Sequence, residues 1–464
     1  MTAHNTLAQR WVLGLGALAS IMVSLDTLVV TTALTSIRLD LHTSSEQLEW
    51  TVNAYTLALA VTLVTAATLG DRFGRRALMA FGVGLFTLSS VGCAVAPTVG
   101  WLIAARTVQG IGAAFTFALT VALVGAAFPA ARRGAALGIL QGLTGLATAG
   151  GPIIGGAITQ GLDWRFVFWV NVPLGIAAVP LILTRIPESR GGAGRLDPLG
   201  VGLVTGGLVA LVWALVRGND AGWGSAEIVS CTLAGAVLLA AFVAWERRAP
   251  APMLPLRLYR SRAFAAGNAA SFAMFGSLFA AVYFVAQFLQ VGLGFAPLAA
   301  GVRMLPWTLT LLIVAPVAGR LVDRHGARAY VIVGLAAQAI GMTWLALIAD
   351  PSVAYVRLIP GMVLAGGGLS MAMPAAQAAV LETISPRDMG AAAGTNSTVR
   401  QVGAVFGIAV AVAVFSSAGG YESASAFSDG FSGAIAVSAA LGVAGTLAGF
   451  VLPRARLRTL YAAA

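Results

Sequence analysis

The chain contains no lysine: all 28 of its basic side chains are arginine. Without lysine there can be no Walker-type phosphate loop, which relies on that residue. A Schiff-base lysine for retinal or pyridoxal phosphate is excluded in the same way. Charged residues are scarce too, at 10% of the sequence, where a soluble domain carries roughly 25%. Only two cysteines occur, Cys93 and Cys231, in separate apolar runs, so neither a disulfide framework nor a zinc site is available. Of the three histidines, His4 and His42 lie outside the apolar runs and His325 sits in a turn. What the sequence does have is apolar residues, 58% of the total, and 56 glycines. That is the composition of an integral membrane protein, and it excludes a soluble enzyme of several domains.

Apolar stretches of about 20 residues are long enough to cross a bilayer as helices. Fourteen such windows lie near 11–37, 50–69, 77–96, 101–127, 134–160, 164–184, 198–217, 225–245, 263–291, 297–321, 329–349, 355–380, 389–416 and 431–452. The first lacks a small-residue cleavage site and reads as a retained helix rather than a signal peptide. Trp11, Trp50, Trp101, Trp164, Trp223 and Trp245 fall at window ends, where an interfacial aromatic belt is expected. Most arginines lie at the termini and in the connections after even-numbered windows, whereas the opposite connections hold only Arg38, Arg165, Arg217 and Arg357. The positive-inside rule then predicts an all-α, multi-pass protein of the cytoplasmic membrane with fourteen transmembrane helices and both termini in the cytoplasm. The net charge of +11 is a topology signal and not a nucleic-acid surface. The longest predicted cytoplasmic connection, "ERRAPAPMLPLRLYRSR" (246–262), is far too short to hold an ATPase domain. No ATP, metal or organic cofactor is expected.

The sequence is duplicated. "ATLGDRFGRR" (67–76) returns as "GRLVDRHGAR" (319–328), "RTVQG" (106–110) as "RLIPG" (357–361), and "GAALG" (134–138) as "GAAAG" (390–394). Three echoes in one order, at a nearly constant offset, indicate a parallel repeat. The predicted organisation is a six-helix bundle over 1–190, two inserted transmembrane helices over 191–250, and a second six-helix bundle over 251–464.

These segments resemble the major facilitator superfamily. The pattern G-x-L-x-D-R-x-G-R-R between the second and third helices is similar to that family's loop motif, although Ala67 replaces its first glycine. "LIAARTVQGIGAA" (102–114) resembles its second motif, and "GGPIIGG" (150–156) resembles the motif of its antiporters rather than its symporters. "LDTLVVTTAL" (25–34), "DWRFVFWVNVPLG" (163–175) and "RLDPLG" (195–200) resemble the 14-helix drug:proton antiporters, with Thr31 and Thr35 where those proteins usually have asparagine and proline. The resemblance implies efflux of small amphipathic drugs or antibiotics by alternating access, with protons and the lipid bilayer as partners and a monomer as the working unit. A symporter or lipid-handling transporter of the same fold is the alternative. A polytopic enzyme or receptor would need a catalytic cluster or soluble domain.

Candidate site residues follow. Asp26 is the one acid that falls deep inside a window. Burial disfavours the charged form of a carboxylate, which suits it to take up and release a proton. A protonated aspartate that only hydrogen-bonds a neighbouring helix is the other reading. Arg106 lies one turn into the fourth window; it could snorkel to the interface, or, as the resemblance implies, hold the Asp26 carboxylate ionised. The loop residues Asp71, Arg72, Gly74, Arg75 and Arg76, with Asp323, Arg324, Gly326 and Arg328 in the repeat, form a predicted cytoplasmic gate. In it Asp71 and Asp323 pair with basic groups across the seam between the halves and, as the resemblance implies, latch the cytoplasmic side shut in the outward-facing state. Gly151, Pro152, Gly155 and Gly156 follow Gly134, Gly138 and Gly142 along one helix, a spacing that permits backbone-to-backbone packing. Asp26, Gln141, Gln287, Asn396 and Arg400 are the candidate lining of a substrate cavity. Arg400 could instead pair with helix-end carbonyls.

Overall fold

A computed structural model describes residues 2–190, 197–249, 252, 256–381, 384 and 389–453. Among the described residues there are helices and no strands. In chain order the α-helices are α1 (Thr2–Asp40), α2 (Ser45–Phe73), α3 (Arg75–Ala94), α4 (Val99–Ala127), α5 (Ala130–Gly161), α6 (Phe166–Trp169), α7 (Asn171–Arg185), α8 (Pro198–Ala221) and α9 (Ala226–Glu246). The second half holds α10 (Arg262–Gln287), α11 (Pro297–Arg303), α12 (Leu305–His325), α13 (Ala327–Leu347), α14 (Tyr355–Leu381), α15 (Met389–Ala418) and α16 (Ala424–Val451). Helix covers all fourteen windows. Twelve helices among the described residues are long and apolar enough to cross a membrane. A thirteenth joins them if the two arms of α2, bent by 48°, count as one span.

Local chemistry sets the boundaries. Ser44 caps α2 in a reciprocal capping box with Gln47, and Thr98, Ser225, Ser261 and Ser423 each accept a backbone N–H at the start of a helix. Such caps satisfy donors that have no partner within the helix. The two motif glycines end helices in the same way. Gly74 (φ +118°) separates α2 from α3, and Gly326 (φ +84°) separates α12 from α13. Few L side chains tolerate that backbone, so the duplicated glycine is a duplicated turn. Two windows are broken helices. Val170 interrupts the sixth, where Pro173 lacks the N–H that would continue the ladder. Met304 divides α11 from α12 at Pro306 in the first turn of α12. Past Gln287, α10 ends in a π-turn, Phe288–Gly292, closed by Leu293 N–H donating to the Phe288 carbonyl at 2.9 Å.

Helices α1–α7 pack largely on one another, as do α10–α16. The α8–α9 hairpin packs on α2 and α15, the helices that meet at the seam. There Trp213 lies against Trp50, and Leu57, Val212 and Val405 form a small core. The hairpin presents most of its surface outward, and α10 is the most enclosed of those twelve helices, with 83% of its apolar window buried. Trp101 and Trp223 are exposed at helix ends, as a belt requires. Trp164 departs from that expectation: it is buried, and its indole N–H donates to Asp40 at 3.0 Å.

At the arginine-poor end the halves are sealed together. A β-carbon on Gly156 would collide with Pro297 and Leu298 of α11, and one on Gly301 with the carbonyl of Pro152. The Gln290 amide donates to the Thr32 carbonyl at 3.1 Å, and Leu298 N–H donates to Gln160 at 3.1 Å. Above this seam Phe288 stacks on Phe431, Tyr421 packs with Phe415 and Phe427, and the Arg38 guanidinium lies over the Tyr421 ring.

Candidate functional site

Asp26 and Arg106, distant in sequence, meet in the core of the first half. Arg106 Nη1 donates to Asp26 Oδ2 at 2.5 Å, and each residue is only 1% exposed. Charges at that depth persist only when paired and hydrogen-bonded, and α4 with three further helices supplies the partners. Gln109 of α4 and Asn171 of α7 donate to Asp26 Oδ1 at 3.0 and 3.2 Å. Arg106 also donates to the Thr51 carbonyl of α2 at 3.1 Å and to Gln109 Oε1 at 2.6 Å. Gln109 in turn donates to Ser90 of α3 at 2.8 Å. The guanidinium lies 4.1 Å from the Tyr55 ring centroid and 5.7 Å from that of Phe168. Arg106 therefore does not snorkel. Asp26 is an ionic crosslink between α1, α4 and α7, enclosed on every side.

Sequence reasoning missed the neutral members of this neighbourhood. Gln109 and Asn171 lie inside quoted motifs, and that was their only signal. Tyr55 gave none. A buried acid elsewhere on α2 was missed as well: Glu49 is fully buried, and its Oε1 accepts from Asn53 at 2.7 Å. It lies just outside the window drawn for α2, so Asp26 remains the one acid deep inside a window, but it is not the one buried acid.

The glycine motif of α5 connects the ionic cluster to the seal. β-carbons on Gly151 and Gly155 would strike Leu28, Val29 and Thr32 of α1. Gly156 and Pro152 meet α11 of the other half. One short segment thus touches both the helix that carries Asp26 and the partner bundle. Gly134, Gly138 and Gly142, and the side chains of Gln141, Asp323 and Arg324, lie outside the described residues.

The cross-seam pairing of the gate motif is an expectation for the outward-facing state, and the conformation described here is sealed at the opposite end. Asp71 pairs at 2.7 Å with Arg75, in its own half and not across the seam. Arg75 N–H donates to the Ser189 carbonyl at 2.9 Å, and Arg76 N–H to Glu188 at 2.9 Å. Glu188 thereby caps the start of α3, where a carboxylate is favoured, in space that only a glycine at 74 leaves open. Arg72 is exposed over Phe73, and Arg328 is half-buried. Among the candidate cavity residues, Gln287 is enclosed in the seal, bonded to the Tyr283 carbonyl and the Tyr421 hydroxyl. Asn396 bridges to Asn268 and Ser271 of α10 at 3.1 and 3.0 Å. Arg400 stands apart, its guanidinium 4.7 Å from the Phe275 ring centroid.

A family model described as Major Facilitator Superfamily matches residues 16–408 and again 268–462. The chain belongs to this superfamily. It is 35% identical over 391 residues to the multidrug resistance protein Stp of Mycobacterium tuberculosis, covering 84% of this chain and 72% of that protein. It is 34% identical to the tetracenomycin C resistance and export protein of Streptomyces glaucescens, covering 85% and 73%. Among solved structures it is similar to a D-xylose–proton symporter, at TM-score 0.70 and 17% identity over 97% of this chain and 99% of that one. It also resembles the E. coli xylose transporter XylE in a partially occluded inward open form, at TM-score 0.67 and 15% identity over 97% and 99%. At such identity these two share the superfamily fold and nothing about substrate. As a superfamily member, the chain is a multi-pass membrane transporter.

Proposed function

We propose that this transporter exports small amphipathic compounds in exchange for protons, by alternating access between the bundles 1–190 and 251–464. The relatives named for multidrug resistance and for tetracenomycin C export support that substrate class. In this reading the protein spans the cytoplasmic membrane fourteen times as a monomer, with both termini in the cytoplasm. The arginine-poor seal then faces outward, and the conformation described above is closed on that side.

One observation carries the proposal: a buried carboxylate–guanidinium pair sits on the helix gripped by the α5 glycine motif. Protonation removes the charge that holds Asp26 to Arg106. α1 is then freed from α4 and α7, and its movement passes through Gly151 and Gly155 to the seal at Gly156 and Gly301. One proton entering across ~100 mV releases about 2.3 kcal/mol, and each pH unit adds about 1.4 kcal/mol. In the outward-open state Asp71 exchanges its present partner for basic groups of the other half and latches the cytoplasmic side.

Purified protein in proteoliposomes tests the reading. An imposed pH gradient drives uphill movement of a lipophilic fluorescent dye, and an uncoupler stops it. Asp26→Asn, which cannot ionise, loses uphill transport and substrate-induced proton release. Undiminished proton-driven transport by that variant overturns the mechanism. Reporter fusions after Asp220 and Arg260 report opposite sides of the membrane; same-side signals overturn the fourteen-span topology.

A further inference from the structure

The polar groups at membrane depth do not balance in charge. In the first half Asp26 and Arg106 cancel within one closed cluster. In the second half Arg400 has no carboxylate within ion-pair distance among the described residues, and its Nε is buried with no hydrogen-bond partner. Arg400 stands eleven residues after Met389, the first residue of α15, or about 16 Å along the helix axis, roughly half the thickness of the hydrocarbon core. It does not point to lipid, because its guanidinium stacks on Phe275 of α10, the most enclosed of the twelve helices. Phe279 stacks in turn on Phe275. Arg400 is itself only half-buried, so its outer face remains open. An arginine at this depth is costly and marks a pathway or a partner.

We infer that Arg400 recognises an acidic group, a carboxylate or phenolate, on an aromatic amphipathic substrate. The inference rests on the export reading and names its substrate class. A guanidinium stacked on one aromatic ring keeps its edge N–H donors free, and those donors match a carboxylate in a bidentate fork. Phe279, partly buried beside the Phe275 ring, supplies the apolar wall on which the rest of such a molecule lies. Asn396, one turn earlier on α15, has its amide donors committed to Asn268 and Ser271, so the free donors of this face belong to Arg400. The Asp26 cluster is not a competing site for a cation. Asp26 already accepts three hydrogen bonds and is walled off by Arg106, Gln109 and Asn171.

The test uses the full chain in nanodiscs and two probes, 1-pyrenebutyrate and its uncharged methyl ester, with binding read by energy transfer from tryptophan to pyrene. The wild type binds the acid at least tenfold more tightly than the ester. Arg400→Gln brings the two within about twofold, the loss expected when a charge-assisted bond is removed. Arg400→Lys keeps part of the preference, because a point charge replaces the fork. Equal binding of acid and ester by the wild type overturns the inference without any variant, as does an undiminished preference in Arg400→Gln. Proton-driven dye transport in proteoliposomes is scored separately. Intact transport without an acid preference sinks this inference alone, whereas an acid preference without transport sinks the export reading.

Discussion

The two halves of the molecule build corresponding centres from different materials. In the first, α1, α3, α4 and α7 meet at an ion pair, Asp26–Arg106, joined by Gln109, Ser90 and Asn171. In the second, α10, α13 and α16 meet at Ser277, where the repeat would place the counterpart of Asp26. Ser277 donates to the Ser438 carbonyl at 2.8 Å and accepts from Gln338 at 3.0 Å. Neutral hydrogen bonds are enough to hold that bundle. Packing therefore does not require a charge at this place, and a buried ion pair is weak evidence for stability in any case. The comparison argues that the ionisable group of the first half serves transport.

The largest expected effect breaks the charged side of the comparison. Arg106→Gln strands a buried carboxylate and should cost about 3–5 kcal/mol of stability, read as a lower melting temperature of the purified protein. Second is the link between cluster and seal. Gly156→Val forces side-chain atoms into Pro297, and overpacking of about 1–3 kcal/mol against the sealed state should slow transport at least tenfold. Cysteine-accessibility labelling at Gln290→Cys should then report an opened outer end. Third, Asp71→Asn removes a partly exposed pair and should change stability by no more than about 1 kcal/mol. Turnover should fall severalfold while substrate affinity stays close to wild type; normal turnover reduces this loop to a topology signal. The smallest effect sharpens the neutral side. Ser277→Ala should cost about 1 kcal/mol and leave proton-driven transport in place. If it uncouples transport instead, the asymmetry between the halves is lost.

The fold was legible because hydropathy and arginine placement act over whole spans, and each of the fourteen windows is largely helical, although α1 and α16 begin nine and seven residues before theirs. The breaks at Val170 and Met304 and the π-turn after Gln287 were not, since hydropathy does not register a shift in hydrogen-bond pattern. Asp26 and Arg106 stood out as charges in apolar runs. Gln109, Asn171 and Tyr55 did not, because neutral polar side chains on membrane helices carry no comparable cost until a partner is known. Gln287 looked like a cavity residue on the same grounds and is instead a bolt in the seal at the arginine-poor end. Glu49 was missed by a boundary: α2 begins at Ser45, and the apolar window drawn for it begins at Trp50.

The ion pair also gives the carrier an electrical asymmetry. With Asp26 ionised, the cluster has no net charge; with Asp26 protonated, Arg106 leaves it one positive charge. Arg400 carries the same charge in both forms, so the two differ by one unit. Membrane voltage does work only on charge that moves through the field, up to about 2.3 kcal/mol per unit charge per 100 mV. Rearrangement of the first half around this cluster should therefore generate a displacement current when the carrier is loaded with a proton, and a smaller one when it is not.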